Sequence, residues 1–375
     1  MALHIKDRLY VQVSFNGVEF SLDRLNVLHY LHITESVRLH LPMLSLRITD
    51  ATKLIAQKNL LADGTIVRVS YGVDSVKKSY EFRVFNFQDI PGDGGTLYTI
   101  SGYLNVPKWL IESTAKPTTE ISASAAINQI AGACGLTFDG VTTAEKQLWL
   151  PRNQKYCKWA QEVTEHAWVN DQSCLQIAVL LDKRLRLVNV ANPKPITEAF
   201  SNRGAAGKVK SIFDYNVLSK GGFFNSIGGY QDSRIIQSLI NETDVNLTSV
   251  NVRRTSKKMN MSAEVKGELS QSAVAFAPID VGNTADTYEM ALYQNRRLAN
   301  LYNFGSEFAT NQMVETDLLD YVMCDFSKPD MKNIKPISGA FCLTSKVTYI
   351  EGMNFYQKCE VYRHGLNTSN DTTQV

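Results

Sequence analysis

The residues in this chain of the types that do chemistry are spaced in ways that suit none of it. His29 and His32 lie three apart with His40 nearby, but a zinc site needs further ligands converging on the same point. On a strand, residues three apart point to opposite faces, so the pair reads as ordinary strand or loop histidines. Glu165-His166 sits on a helix-patterned segment with no nucleophile at a recognisable spacing. Residues 221–229, GGFFNSIGG, have the glycines of a phosphate loop without its Lys-Ser/Thr ending or a following apolar helix, so they read as a turn-rich β segment. Asp317 and Asp320 are one carboxylate pair among 37 acidic residues and carry no weight. Six cysteines are scattered without a Cys-x-x-Cys pair and are expected to be reduced and half-buried, although Cys342 and Cys359 could face each other across a hairpin. Arg253, Arg254, Lys257 and Lys258 form a basic cluster without interleaved aromatics. They read as a solvated loop or as a contact with an acidic partner or passing nucleic acid. No catalytic residue, metal or cofactor is expected, and a cell-wall hydrolase has no catalytic constellation to rest on.

Bulk composition narrows the class further. The 375 residues are 44% hydrophobic and 20% charged with a net charge of +2, which suits a folded chain of two or three domains. It lacks the concentrated basic surplus of a nucleic-acid binder. No secretory leader pattern opens the sequence and no stretch approaches 18 consecutive apolar residues. The expected site of synthesis is a cytoplasm.

The elements that position these residues are mostly strands. Leu9, Val11, Val13 and Phe15 alternate up to an Asn16-Gly17 turn, then Val18 and Phe20 return. Strands follow at 41–50 and 65–72, then a hairpin at 80–104, giving about six in the first hundred residues. A helix is expected from an N-cap at Thr119 to a stop at Gly135, with Ile121, Ala125, Asn128, Ile130, Ala131 and Cys134 on its apolar side. A second is expected over 154–169 with Tyr156, Trp159, Ala160, Val163 and Ala167 as its stripe. A hairpin at 175–190 turns near Asp182-Lys183. β character returns from Val209, a helix is expected over 285–302, and a closing hairpin spans 338–365. In that hairpin Phe341, Leu343, Ser345, Val347 and Tyr349 share one face of the first strand, and Phe355, Gln357, Cys359 and Val361 one face of the second.

The closing hairpin resembles the one near residue 80. In both, strand, glycine-bearing break and strand follow a similar approach, LLADGTIVRVSYG in the first and DLLDYVMCDFSKP in the second. The chain therefore reads as α+β and mainly β: two similar β-barrel domains with a small α+β domain between them and an insertion in the second barrel. The expected boundaries are 1–105 for the first barrel, 106–198 for the α+β domain and 199–231 with 313–366 for the second barrel. An insertion is expected over 232–312 and a flexible tail over 367–375.

In order, LPMLSLRITD with ADGTIVRVSYG, the hairpin ending at Tyr103-Leu104, the segment from ISASAAINQIAGACGLTFDG through Leu187, and the closing GAFCLTSKVTYIEG with YQKCEVYRHG resemble the baseplate hub protein of contractile-tailed bacteriophages. That family extends to the hub part of type VI secretion spike proteins. The resemblance implies a structural virion protein of the tail baseplate: a homotrimer whose six similar barrels form a ring. One face of the ring would adapt to a sixfold tail tube or tube-initiator protein and the other to a threefold central spike. A channel would be left for DNA ejection without sequence-specific DNA binding. Tape measure and surrounding baseplate proteins are further implied partners. Because the second module ends close to Val375, the spike is expected to be a separate polypeptide. The alternative is a carbohydrate- or receptor-binding peripheral tail protein, with Trp109, Trp149 and Trp168 as candidate stacking residues.

Overall fold

The structure, a computed structural model, describes residues 9–22, 27–73, 76–112, 118–151, 154–170, 173–191, 198–204, 207–218, 304–326, 338–352 and 354–363, Ile196, and the backbone of strands at 233–238, 245–250 and 275–277. The expected helix at 285–302, the basic cluster Arg253, Arg254, Lys257 and Lys258, and the tail at 367–375 lie outside the described residues.

Seven strands form the first β unit: β1 (Leu9–Phe15), β2 (Val18–Phe20), β3 (Val27–Ser36), β4 (Met43–Asp50), β5 (Ile66–Val73), β6 (Val76–Gly92) and β7 (Gly95–Leu104). Asn16 and Gly17 both take positive φ, 47° and 83°, as a two-residue hairpin turn that follows the strand twist requires. Sequence alternation gives six strands here and omits β3. Its inward row is Leu31, Ile33 and Glu35, and a glutamate on the core face breaks the apolar pattern. Between β4 and β5, a short helix α1 (Leu54–Gln57) starts on the buried Asp50, whose carboxylate accepts from the Leu54 and Ile55 N–H groups at 3.1 and 2.8 Å.

The middle segment is α+β. Helix α2 (Ala123–Cys134) ends at Gly135 in the left-handed region, as expected, but its N-cap is Ser122, not Thr119. The Ser122 hydroxyl accepts from the Ala125 N–H at 3.3 Å, the N-cap contact that satisfies an orphan helix donor. The buried face also differs from the expected one. Ala126 and Ile127 point inward, whereas Asn128 is exposed. Helix α3 (Tyr156–Glu165) is shorter than expected but buries Tyr156, Trp159, Ala160 and Val163 as the spacing predicts. Strand β8 (Thr137–Gly140) lies parallel to β10 (Arg184–Asn189), which pairs antiparallel with β9 (Leu175–Val179). The turn falls at Lys183, φ 64°. This sheet serves two cores: Leu175, Val179, Leu185 and Leu187 face the first unit's cluster, while Cys174, Ala178, Leu180 and Val188 face the second's.

The second β unit comprises β11 (Ala199–Ser201), β12 (Val209–Ser211), β13 (Asp214–Leu218), β17 (Phe304–Thr310), β18 (Tyr321–Asp325), β19 (Gly339–Glu351) and β20 (Asn354–Arg363); β14 (Ser233–Ser238), β15 (Val245–Val250) and β16 (Ala275–Ala277) form a separate small sheet. Residues 304–310, read from sequence as part of the 232–312 insertion, pair with both β13 and β20. They belong to the second β unit, because Phe304, Phe308 and Ala309 are needed in its core.

The two units share one topology. The first runs β2-β1-β5-β6-β7-β4-β3 across its sheet and the second β12-β11-β18-β19-β20-β17-β13. Counted in chain order within each unit, the two sequences of neighbours are identical. They differ at β11, which pairs parallel with β12 and β18, whereas β1 pairs antiparallel with β2 and β5. The hairpins match to the residue: Tyr80–Leu104 superposes in register on Gly339–Arg363 without a gap, and each first strand slips by one position, between Val84 and Asn86 and between Leu343 and Ser345. Buried positions coincide at Phe82 and Phe341, Val84 and Leu343, Ile100 and Cys359, and Val67 and Val322. Among the described residues no ladder joins the two ends of either set of strands.

The slip in β19 corrects one reading. The bulge at Thr344 switches the inward row from Phe341 and Leu343 to Lys346, Thr348 and Ile350, because an extra residue reverses the alternation. Ser345, Val347 and Tyr349 face the other way. Phe355, Gln357, Cys359 and Val361 are buried together on β20, as expected.

Candidate assembly surface

The two units meet along one strand pair. β3 lies antiparallel beside β19, with Ser36 opposite Ser345, His32 opposite Tyr349 and Tyr30 opposite Glu351. Seven pairs thereby cover the outer edge of β19 beyond its bulge. The inward row includes an ion pair: the Lys346 ammonium lies 3.3 Å from the Glu35 carboxylate, each side chain only 7% exposed, and donates to the Thr316 carbonyl at 3.3 Å. Burial pulls the Lys346 pKa down, but Glu35, Tyr71 and Cys359 outweigh it and hold it above the ordinary lysine value. Burial, reinforced by Glu35, pushes the Tyr71 hydroxyl up to about 12. On the outward row the His32 ring stacks on Tyr30, and its Nε2 lies within hydrogen-bond distance, 3.0 Å, of the accepting Glu351 carboxylate.

The middle domain is tied to both units. The Trp109 indole N–H donates to the His40 carbonyl at 2.8 Å in the first. Arg186 of β10, 2% exposed, donates to the Leu318 carbonyl at 2.7 Å and to Asp320 at 3.0 Å in the second, while keeping a 3.3 Å contact with Asp139. Arg184 reaches Asp317 at 2.9 Å. Asp317 and Asp320 therefore anchor domains. Glu198 is held by Lys210 and accepts from the Thr316 N–H at 2.8 Å; burial raises its pKa, yet these donors bring it below the ordinary carboxylate value.

The remaining sequence candidates are structural too. His29 bonds Thr49 at 2.8 Å and His166 is buried. No group of three or more His, Cys, Asp or Glu side chains that could hold a metal occurs among the described residues. Trp109 and Trp149 are buried, the latter donating to the Ile121 carbonyl at 3.0 Å, and Trp168 is half-buried. All six cysteines are buried and none is in a disulfide. Cys342 stands opposite Tyr362 and Cys359 opposite Lys346, so the two do not face each other. Burial raises the thiol pKa of both, and a protonated thiol is a poor nucleophile.

What the structure leaves open is an edge. In the first unit, the stretch of β6 that corresponds to the covered part of β19 is exposed at Phe85, Asn86, Gln88, Asp89, Ile90, Pro91 and Gly92. No motif in the sequence marks this segment; the duplicated register reveals it.

Solved structures with the same fold give the architecture its context. A 43 kDa tail protein of prophage MuSo2 from Shewanella oneidensis matches with a TM-score of 0.61 at 10% identity over 96% of this chain and 100% of its own. The chain has the fold of this phage tail protein. A tail protein from Neisseria meningitidis shares that fold at a TM-score of 0.60 and 8% identity, over 95% of this chain and 97% of its own. An Escherichia coli component of the type VI secretion system, described as similar in structure to T4 bacteriophage tail proteins, shares it at 0.50 and 6% identity, over 95% of this chain and 77% of its own. No protein-family model and no curated protein matches the sequence. No helix among the described residues is long and apolar enough to cross a membrane.

Proposed function

We propose that this chain is a structural subunit of a phage tail baseplate hub, three copies of which close into a ring of six similar β units. Carrying this reading is the duplicated topology: a chain that repeats one module can present six near-equivalent positions with threefold symmetry. In this role one face of the ring meets the sixfold tail tube or a tube initiator and the other a threefold central spike, with tape measure and surrounding baseplate proteins as further neighbours. DNA passes through the channel without being read. The protein is made in the host cytoplasm and ends in the virion. The domain limits proposed for it are 1–105, 106–198 and a second β unit from 199 that includes 304–310. Arg253, Arg254, Lys257 and Lys258 are proposed contacts for an acidic partner or for the channel. Carbohydrate binding loses its footing because two of its three tryptophans are buried and hydrogen-bonded inside the fold.

Electron micrographs of the purified full chain test the proposal. Face-on averages should show six lobes in threefold arrangement around an open channel. Single compact particles of one chain at every concentration would refute it.

A further inference from the structure

The chain contains a template for its own missing contact. Superposing β13 on β3 through their partners places Asn216 where His32 stands, because Asn216 lies opposite Glu307 of β17 as His32 lies opposite Ser45 of β4, and Glu307 and Ser45 occupy matching places beside Glu360 and Ser101. Superposing β6 on β19 places Ile90 where Tyr349 stands. Within the chain, His32 faces Tyr349. Their counterparts, Asn216 and Ile90, pair with no strand on their outer sides among the described residues.

We propose that β6 of one chain pairs antiparallel with β13 of a second copy, Asn216 opposite Ile90, Asp214 opposite Gly92 and Leu218 opposite Gln88. This rests on the ring reading and specifies which edges close the ring. Three observations converge on it. Large apolar side chains are exposed along both edges: Phe85 at 44%, Ile90 at 56% and Phe213 at 60%. Unpaired edges invite strand addition. The hairpin closes on Gly92 opposite Gly95 with two residues between, so by alternation residues 87, 89 and 91 aim their backbone groups away from β7. Pro91 withholds one of those N–H groups, which an edge strand tolerates and a central strand does not. The trans ladder is thus one hydrogen bond poorer than its template, in which Ile350 holds the corresponding place. A neighbour joined this way leaves its own β6 open, so the contact is head-to-tail and must continue until the ring closes.

The test is Ile90→Cys with Asn216→Cys in the full chain, oxidised mildly and run without reductant. Because the native cysteines are buried, each single variant gives the background. The double variant should yield linked dimers and trimers at least about tenfold above it, since directly opposite Cα atoms fall within disulfide reach. Gln88→Cys with Asn216→Cys, two positions out of register, should stay near background. Asp89→Pro removes an outward N–H without touching the β7 ladder, and should abolish the oligomer while leaving the circular dichroism spectrum unchanged. A ring of normal mass without the cross-link, a cross-link confined within one chain, or an intact ring in Asp89→Pro would overturn the edge assignment and leave the ring standing. A wild-type chain that is monomeric would overturn both.

Discussion

The two hairpins β6–β7 and β19–β20 have one geometry and opposite surroundings. Beyond the shared bulge, the outer edge of β19 is covered by β3 of the same chain and its inward row is buried. The matching stretch of β6 is exposed. Within the aligned hairpins only Phe82 and Phe341, and Tyr103 and Tyr362, are identical, so the likeness survives in register and burial more than in residue type. At the covered junction Lys346 pairs with Glu35; in β6 the corresponding residue is Phe87. A contact made once during folding can bury an ion pair, whereas one that forms between finished subunits is better served by apolar and backbone groups, which carry a smaller desolvation penalty.

The largest break in this comparison should come from Lys346→Met. It leaves the Glu35 carboxylate buried and unpaired, and should lower stability by about 3–5 kcal/mol in denaturant unfolding. The matching change, Phe87→Met, should cost below about 1.5 kcal/mol. Equal losses at the two sites would erase the distinction. A double change, Glu35→Leu with Lys346→Met, should recover most of the loss if the unpaired charge is its cause.

Next in size is Arg186→Met. It strands the Leu318 carbonyl and loosens the middle domain from the second unit, at about 1–3 kcal/mol. Proteolysis should then attack between the domains without exposing the first unit.

A smaller and graded effect follows from pH. Tyr71 and Lys346 both have folded pKa values above their unfolded ones, so the native state binds more protons than the unfolded chain at high pH. Their contribution is fully present below about 10 and fades as pH rises toward about 12. Thermal melting should fall over that window in the wild type and less in Tyr71→Phe.

Much of the fold was legible because it follows local periodicity. The Asn16-Gly17 turn, the Trp159 and Val163 stripe, the Lys183 turn and the row Phe355 to Val361 are each set by neighbours in sequence. What escaped depends on distant partners. β3 hides Glu35 among Leu31 and Ile33, and only the Lys346 opposite explains it. The bulge at Thr344 reverses a face with no glycine or proline to announce it. β17 reads as insertion until β13 and β20 flank it. The assembly edge carried no motif at all; it emerged from comparing two exposures at matched positions.

Hydrogen exchange along the two matched strands tests the central claim most directly. In the assembled wild-type protein, peptides covering β6 residues 85–92 should be as slow as those covering β19 residues 344–351, and on dissociation to single chains only the β6 peptides should become fast. β6 amides that exchange fast in the assembled particle would contradict the account, because the open edge would then face solvent in the finished structure.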